Sequence, residues 1–285
     1  MKMENSYKDL SAEIKEVAKK VLAEEDVDQL LGFAQGEFSG LTEPVIIKKA
    51  EQAQRMVFTE DATPMLSKYL LEYKEKKQAV VAKPCDTRAI AYYLSEDIID
   101  RKNLVIIGIN GCPGLKDNTA CDECDTRNPV ISDYQVGEEI SSAELAAELK
   151  GVKYLLEDMT PAERKEHYSQ EFARCTQCYA CRDACPVCYC DHCYVESNQP
   201  EWVEEGSSAD KDMIFHLMRT MHMPGRCVNC GACEMACPEG IDMRSMTTHL
   251  YHKAEELYDF RPGISPEQPP LLSDFSKEDS EPGFL

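Results

Sequence analysis

Apolar residues recur at helical spacing over residues 7–24, where Leu10, Ile14, Val17, Ala18, Val21 and Leu22 share one face and lysines and glutamates fill the other. This pattern predicts an amphipathic helix lying on a core. Residues 30–35 and 45–48 read as short strands around a turn marked by Gly36, Ser39 and Gly40. A helix is predicted over 63–76, with Thr63-Pro64 as its N-cap and first turn. Next comes the clearest α/β unit: a buried strand at 79–82, a loop at 85–87, a helix over 88–97 and a second strand at 104–109. Such alternation implies parallel strands with a right-handed crossover, and ligands in these sheets sit beyond the strand carboxyl ends. Cys85 and Cys112 each fall just after a strand, at that edge. Cys121 and Cys124 follow in a polar loop that runs on to Asn128-Pro129. Helices are predicted at 141–157, 161–172 and 209–223, the last with Met213, Ile214, Leu217, Met218 and Met221 as its apolar positions, facing either ordinary core or a cluster directly. Residues 196–208 form a polar, acidic insert. The proline-, serine- and acid-rich stretch 261–285 reads as a flexible tail or one that orders on a partner.

The expected architecture is therefore an α/β domain with a mainly parallel sheet over 1–160, a mainly helical domain over 161–260, and the tail. A length of 285 residues suits two domains. With 52 acidic against 31 basic residues, the formal charge of −21 excludes nucleic acid and anionic membrane surfaces as natural partners. It fits solubility, and also docking to a basic surface on a redox partner. The opening MKMENSYKDL offers no apolar signal segment, and no apolar run is long enough to cross a bilayer. A cytoplasmic, anaerobic setting is expected. The single tryptophan, Trp202, carries no functional signal.

The cysteines then change the picture. Eleven of fifteen lie between Cys175 and Cys237, and eight of these form two copies of Cys-x2-Cys-x2-Cys-x3-Cys-Pro. Three closely spaced thiolates on a tight turn can hold three corners of a cubane, and the cysteine beside proline reaches the other cluster of a pair. The spacing thus assigns Cys175, Cys178, Cys181 and Cys237 to one [4Fe-4S] cluster, and Cys227, Cys230, Cys233 and Cys185 to a second. Zinc sites do not call for the further x2-Cys and x3-Cys-Pro spacing, and a disulfide scaffold belongs to short secreted domains.

On spacing alone, Cys85, Cys112, Cys121 and Cys124 could form a third cluster, a zinc site or unrelated thiols. The run Ala82-Lys83-Pro84-Cys85-Asp86-Thr87-Arg88-Ala89-Ile90, then residues 100–109, then Cys121-Asp122-Glu123-Cys124 with Asn128-Pro129 and Gly137-Glu138, resembles the coenzyme F420 hydrogenase/dehydrogenase beta-subunit family. The resemblance covers roughly residues 40–140 and is most specific in its Lys-x-Cys-Asp-x-Arg core. It implies a third [4Fe-4S] cluster on those four cysteines, and a flavin (FAD) that exchanges electrons with a deazaflavin or nicotinamide, with Lys83 and Arg88 beside it. Two departures stand against the flavin. The loop Asn110-Gly111-Cys112-Pro113-Gly114 is one residue longer than usual, and the family's long flavin-binding half is missing. The stretch 226–238, preceded by a helix and far from the first motif, resembles the α-helical ferredoxin domains of heterodisulfide reductase and succinate dehydrogenase iron–sulfur subunits. That implies two clusters in a helical domain.

Cys188, Cys190 and Cys193 follow the first motif closely, as a further metal site completed by His192, Asp191 or another chain, or as thiols that tune the neighbouring cluster. His167, His216, His222, His249 and His252 show no ligand spacing, and no phosphate loop or nucleophile–base constellation is visible. The favoured expectation is an electron-transfer subunit of an anaerobic oxidoreductase complex, working between a catalytic subunit and a flavin- or cluster-containing partner. The alternatives are a flavoprotein acting on reduced deazaflavin or NAD(P)H, and a zinc-stabilised interaction module.

Overall fold

A computed structural model describes residues 2–38, 40–149, 156, 158–201, 203, 206, 208–271 and 273. Ser39, most of the second half of the helix expected at 141–157, Trp202 with part of the acidic insert, and nearly all of the tail beyond 271 lie outside the described residues.

The amphipathic helix α1 (Lys2–Glu24) leads into a hairpin of β1 (Gln29–Gln35) and β2 (Thr42–Ile47). After the short helix α2 (Leu66–Leu70) come β3 (Gln78–Ala82), α3 (Pro84–Ser95) and β4 (Leu104–Ile109), then α4 (Thr119–Asp122) and β5 (Tyr134–Val136). The five strands form one sheet in the order β2-β1-β3-β4-β5. Only β2 is antiparallel, as its tight connection to β1 requires; β1, β3, β4 and β5 run parallel. The strand interiors, Leu30, Val80, Ala82, Ile106 and Ile107 among them, are almost wholly buried. Such near-continuous apolar runs belong to strands covered on both faces. Leu10, Ile14, Ala18 and Val21 of α1 join the same core, as does Val228 from the second ferredoxin motif.

The second half is helical: α5 (Ser142–Glu148), α6 (Pro161–Phe172), α7 (Ala180–Asp183), α8 (Ala209–Met221), α9 (Ala232–Met235) and α10 (Arg244–Tyr258). Helix α6 starts where the sequence predicts, because Thr160 and Glu163 make a reciprocal capping box ahead of Pro161. Its apolar core is small, built on Tyr168, Phe172, Phe215, Ile241, Met243 and Leu156 with Cys181 among them. The α/β and helical architecture expected from the sequence is the one observed.

Four local expectations need correction. The helix at 63–76 shrinks to α2 and a 3-10 turn over Leu71–Tyr73, since the carbonyls of Ala62 and Pro64 are taken by the Lys83 ammonium. Residues 85–87 are not a loop: α3 begins at Pro84, which fits the first helical turn because its missing N–H is not needed there. Helix α8 is turned inside out relative to its apolar pattern, with Ile214, Leu217, Met218 and Met221 exposed and Asp212, His216 and Arg219 buried. The start of the expected tail packs on the chain: Pro262 and Gly263 are buried, and the Pro262 carbonyl accepts from the Arg88 guanidinium. Strand β5, three residues long, and helix α10 carry no sequence pattern that the reading above picked out.

Candidate metal centre

The two cysteine repeats fold alike. In the first, Gln177 and Tyr179 take the left-handed backbone conformation, and in the second Asn229 and Gly231 do so at the matching places. This reversal aims backbone N–H groups at sulfur: Gln177 N–H lies 3.4 Å from Cys175 Sγ, and Asn229 N–H lies 3.4 Å from Cys227 Sγ. The third cysteine of each repeat then sits in a single helical turn, Cys181 in α7 and Cys233 in α9, and those turns pack together. A loop that wraps one point with N–H groups and three sulfurs suits a cluster whose sulfurs carry negative charge.

The fourth cysteines cross over. Cys175 and Cys237 pack with Cys181, as does Cys233 of the other repeat, and Cys178 and Cys237 act on Cys175. Cys185 lies instead with the other repeat, where it acts on Cys227, Cys230 and Cys233. In the packing, Cys175, Cys233 and Cys237 lie with Cys181, Cys227 lies with Cys185, and Cys230 lies with Cys112 against the core of the sheet. Burial pushes the Cys181 and Cys227 thiols up to about 12 and Cys230 well above its usual range. Thiols so desolvated remain neutral until a cation holds them, and loading a metal releases their protons. Among the described residues, no three or more His, Cys, Asp or Glu side chains converge as ligands of a single ion.

Helix α8 faces both sets. His216 Nε2 lies 3.4 Å from Cys175 Sγ, with its ring stacked 4.2 Å from Phe172. Burial and the Arg219 charge lower its pKa to about 4, so the imidazole is neutral at ordinary pH. One turn on, Arg219 donates to the Cys181 carbonyl at 3.1 Å while its Nε is buried without a partner. An orphaned cationic donor beside Cys181, Cys185, Cys188 and Cys233 is a sign that anionic groups belong here. Sequence reading missed both residues. The available signal was polar residues at i, i+4 and i+7, namely Asp212, His216 and Arg219, inside an otherwise apolar helix.

The third cysteine set gathers at the sheet's carboxyl edge. Cys85 in the first turn of α3, Cys112 after β4, Cys121 in α4 and Cys124 behind it line one cavity, which Cys230 also lines. Burial raises all four thiols, Cys112 to about 12. Asn118 fixes this edge to the second repeat, donating to the Cys230 carbonyl at 3.1 Å. Its Oδ1 stands 2.1 Å from where a Cβ on Gly231 would lie, so the repeat can approach only as glycine.

Lys83 and Arg88 line the same cavity but spend their donors inside the chain. Lys83, 1% exposed, donates to the Ala62 and Pro64 carbonyls at 2.8 and 2.6 Å and lies 3.5 Å from Asp86. Arg88 holds the Pro262 and Val228 carbonyls and the Tyr251 hydroxyl. Both tie segments together where the sequence reading put a flavin.

Cys188, Cys190 and Cys193 line one cavity together with Asp191, His192, Lys68 and Arg182. Cys188 turns inward against Cys185, Val187 and Met223, and its backbone carbonyl accepts from Lys68. Cys190 is exposed, near Arg226, and Cys193 lies against Arg182. All fifteen cysteines are free thiols.

A 4Fe-4S dicluster domain family matches residues 171–241, which contain both repeats. The N-terminal part is similar to the F420-dependent formate dehydrogenase subunit beta of Methanocaldococcus jannaschii, 33% identical over 147 residues, covering 52% of this chain and 38% of the relative. It is also similar to the F420-dependent formate dehydrogenase 1 subunit beta of Methanococcus maripaludis, 30% identical over 107 residues, covering 38% of this chain and 27% of the relative. The chain thus spans less than two-fifths of the length of either relative. Resemblance to the beta-subunit family over the N-terminal part and a dicluster domain behind it are as the sequence motifs indicate. Among the described residues no helix is long and apolar enough to cross a membrane.

Proposed function

We propose that the chain is an iron–sulfur electron-transfer subunit of an anaerobic, cytoplasmic oxidoreductase complex, with three [4Fe-4S] sites in one line. The observation that carries this reading is contiguity. Cys230, a ligand of the middle site, lines the same cavity as Cys85, Cys112, Cys121 and Cys124. Cys233, from that same site, lies close enough to Cys181 of the far site to act on its thiol. When bound, such clusters supply one-electron chemistry. The chain's own residues hold the thiolates, exclude water from them and fix the order of the sites.

Residues Cys85, Cys112, Cys121 and Cys124 would hold the first cluster, Cys185, Cys227, Cys230 and Cys233 the middle one, and Cys175, Cys178, Cys181 and Cys237 the last. Flavin is assigned to a partner, because Lys83 and Arg88 are engaged within the chain. The relatives named above are subunits of F420-dependent formate dehydrogenases, and by that likeness the partner is a catalytic or flavin-bearing oxidoreductase subunit. Fifteen unpaired thiols and a charge of −21 suit a reducing compartment and a basic docking face.

The test is iron, acid-labile sulfide and flavin per chain after anaerobic purification. About twelve irons without flavin is the expected result. About eight would remove the N-terminal site, stoichiometric flavin would favour a flavoprotein, and a colourless zinc protein would overturn the reading.

A further inference from the structure

Arg219 stands apart from the other buried cations of this chain. Lys83 faces Asp86, Arg88 lies 3.7 Å from Asp125, and Arg244 is held by Glu123 and Glu234. No carboxylate among the described residues pairs with Arg219, which is 4% exposed. Among the described residues it donates to the Cys181 carbonyl alone, and its Nε is left over. The thiols that act on it come from both ferredoxin-type sets, Cys233 and Cys185 from one and Cys181, whose carbonyl it holds, from the other, with Cys188 beside them. Lys68 reaches only the Cys185 side, through the carbonyls of Cys185 and Cys188.

We propose that Arg219 is the shared counter-charge of the two ferredoxin-type clusters, placed between them to raise the reduction potentials of both. The inference rests on the dicluster reading and adds a role to a residue that is not a ligand. Reduction adds one electron to a cluster and breaks or forms no bond, so its cost inside the protein is the cost of one more buried negative charge. A fixed cation nearby lowers that cost, and low-dielectric surroundings strengthen the effect. One cation between two acceptors lowers it for either. It also weakens the repulsion between two reduced neighbours, so the pair can hold two electrons at once. Helix α8 supplies the placement: Asp212, His216 and Arg219 lie on one buried stripe, and only the last brings a positive charge to both sets.

The experiment is an EPR-monitored redox titration of the full chain, purified anaerobically as wild type, Arg219→Gln and Arg219→Lys, with iron counted in each. Wild-type iron below about eight per chain would sink the dicluster reading itself, independently of Arg219. With iron retained, Arg219→Gln is expected to shift both ferredoxin-type midpoints to lower potential, and Arg219→Lys to bring both back toward wild type. Unchanged midpoints in Arg219→Gln, or movement of one cluster alone, would overturn the proposal. Should Arg219→Gln lose iron, recovery of that iron in Arg219→Lys supports the charge role. Equal loss in both variants contradicts it.

Discussion

Helices α1 and α8 are both amphipathic, and they are turned opposite ways. Helix α1 buries Leu10, Ile14, Ala18 and Val21 against the sheet and leaves its lysines and glutamates to solvent. Helix α8 buries Asp212, His216, Arg219 and Thr220 along with Phe215, while Leu217 and Met221 stand 43% and 64% exposed. The difference lies in the neighbour. An apolar sheet selects the hydrocarbon face of a helix, whereas a ring of sulfur ligands selects the face that can donate hydrogen bonds and offset charge. The α/β half has a continuous hydrocarbon core of its own. In the helical half the few apolar residues surround cysteines, so the centre of that half is the cofactor's place.

Stripping iron anaerobically with a chelator should break this contrast most severely. Amides of β1, β3 and β4 are expected to keep their hydrogen-exchange protection, while those of α7, α8 and α9 lose theirs, because metal binding and folding are one process in such a half. Retained protection in α8 would show a helical half that stands without clusters. Next in size is Lys83→Met, which leaves the buried Asp86 carboxylate unpaired and should cost the α/β half about 3–5 kcal/mol in denaturant unfolding. A flavin-site lysine would instead change flavin content with little effect on stability. Gly231→Ala asks for a side chain at φ +74 and against Asn118, and should cost about 1–3 kcal/mol, seen as loosened contact between the halves. The smallest effect is expected from Leu217→Ser on the outward face of α8, within about 0.5 kcal/mol of wild type in thermal unfolding. A larger loss would mean that this face is covered by another surface.

What could be read from the sequence follows how local each feature is. The dicluster domain was legible because the repeated spacing of three cysteines encodes one tight turn, which both repeats adopt. Strand β4 was legible because a six-residue apolar run bounded by polar residues has few other uses. The gathering of Cys85, Cys112, Cys121 and Cys124 was less so, since it depends on β3 and β4 being neighbours and on the α4 loop folding back over their ends. Periodicity located α8 but not its orientation, as a hydrophobic stripe marks a face without saying what lies opposite. The roles of Lys83 and Arg88 were hidden for a related reason. A cation near a site looks the same in sequence whether it meets a ligand or the carbonyls of residues 62, 64 and 262.

The central claim is that three cluster sites lie in one line and touch through the middle one. The most direct test is EPR of the fully reduced, anaerobically purified chain beside Cys121→Ser, which removes a proposed ligand of the N-terminal site. The account predicts a spectrum broadened by spin–spin interaction, from which the variant loses about four irons together with part of the broadening. A wild-type spectrum that is a plain sum of isolated signals, or a variant with unchanged iron and unchanged line shape, would contradict it.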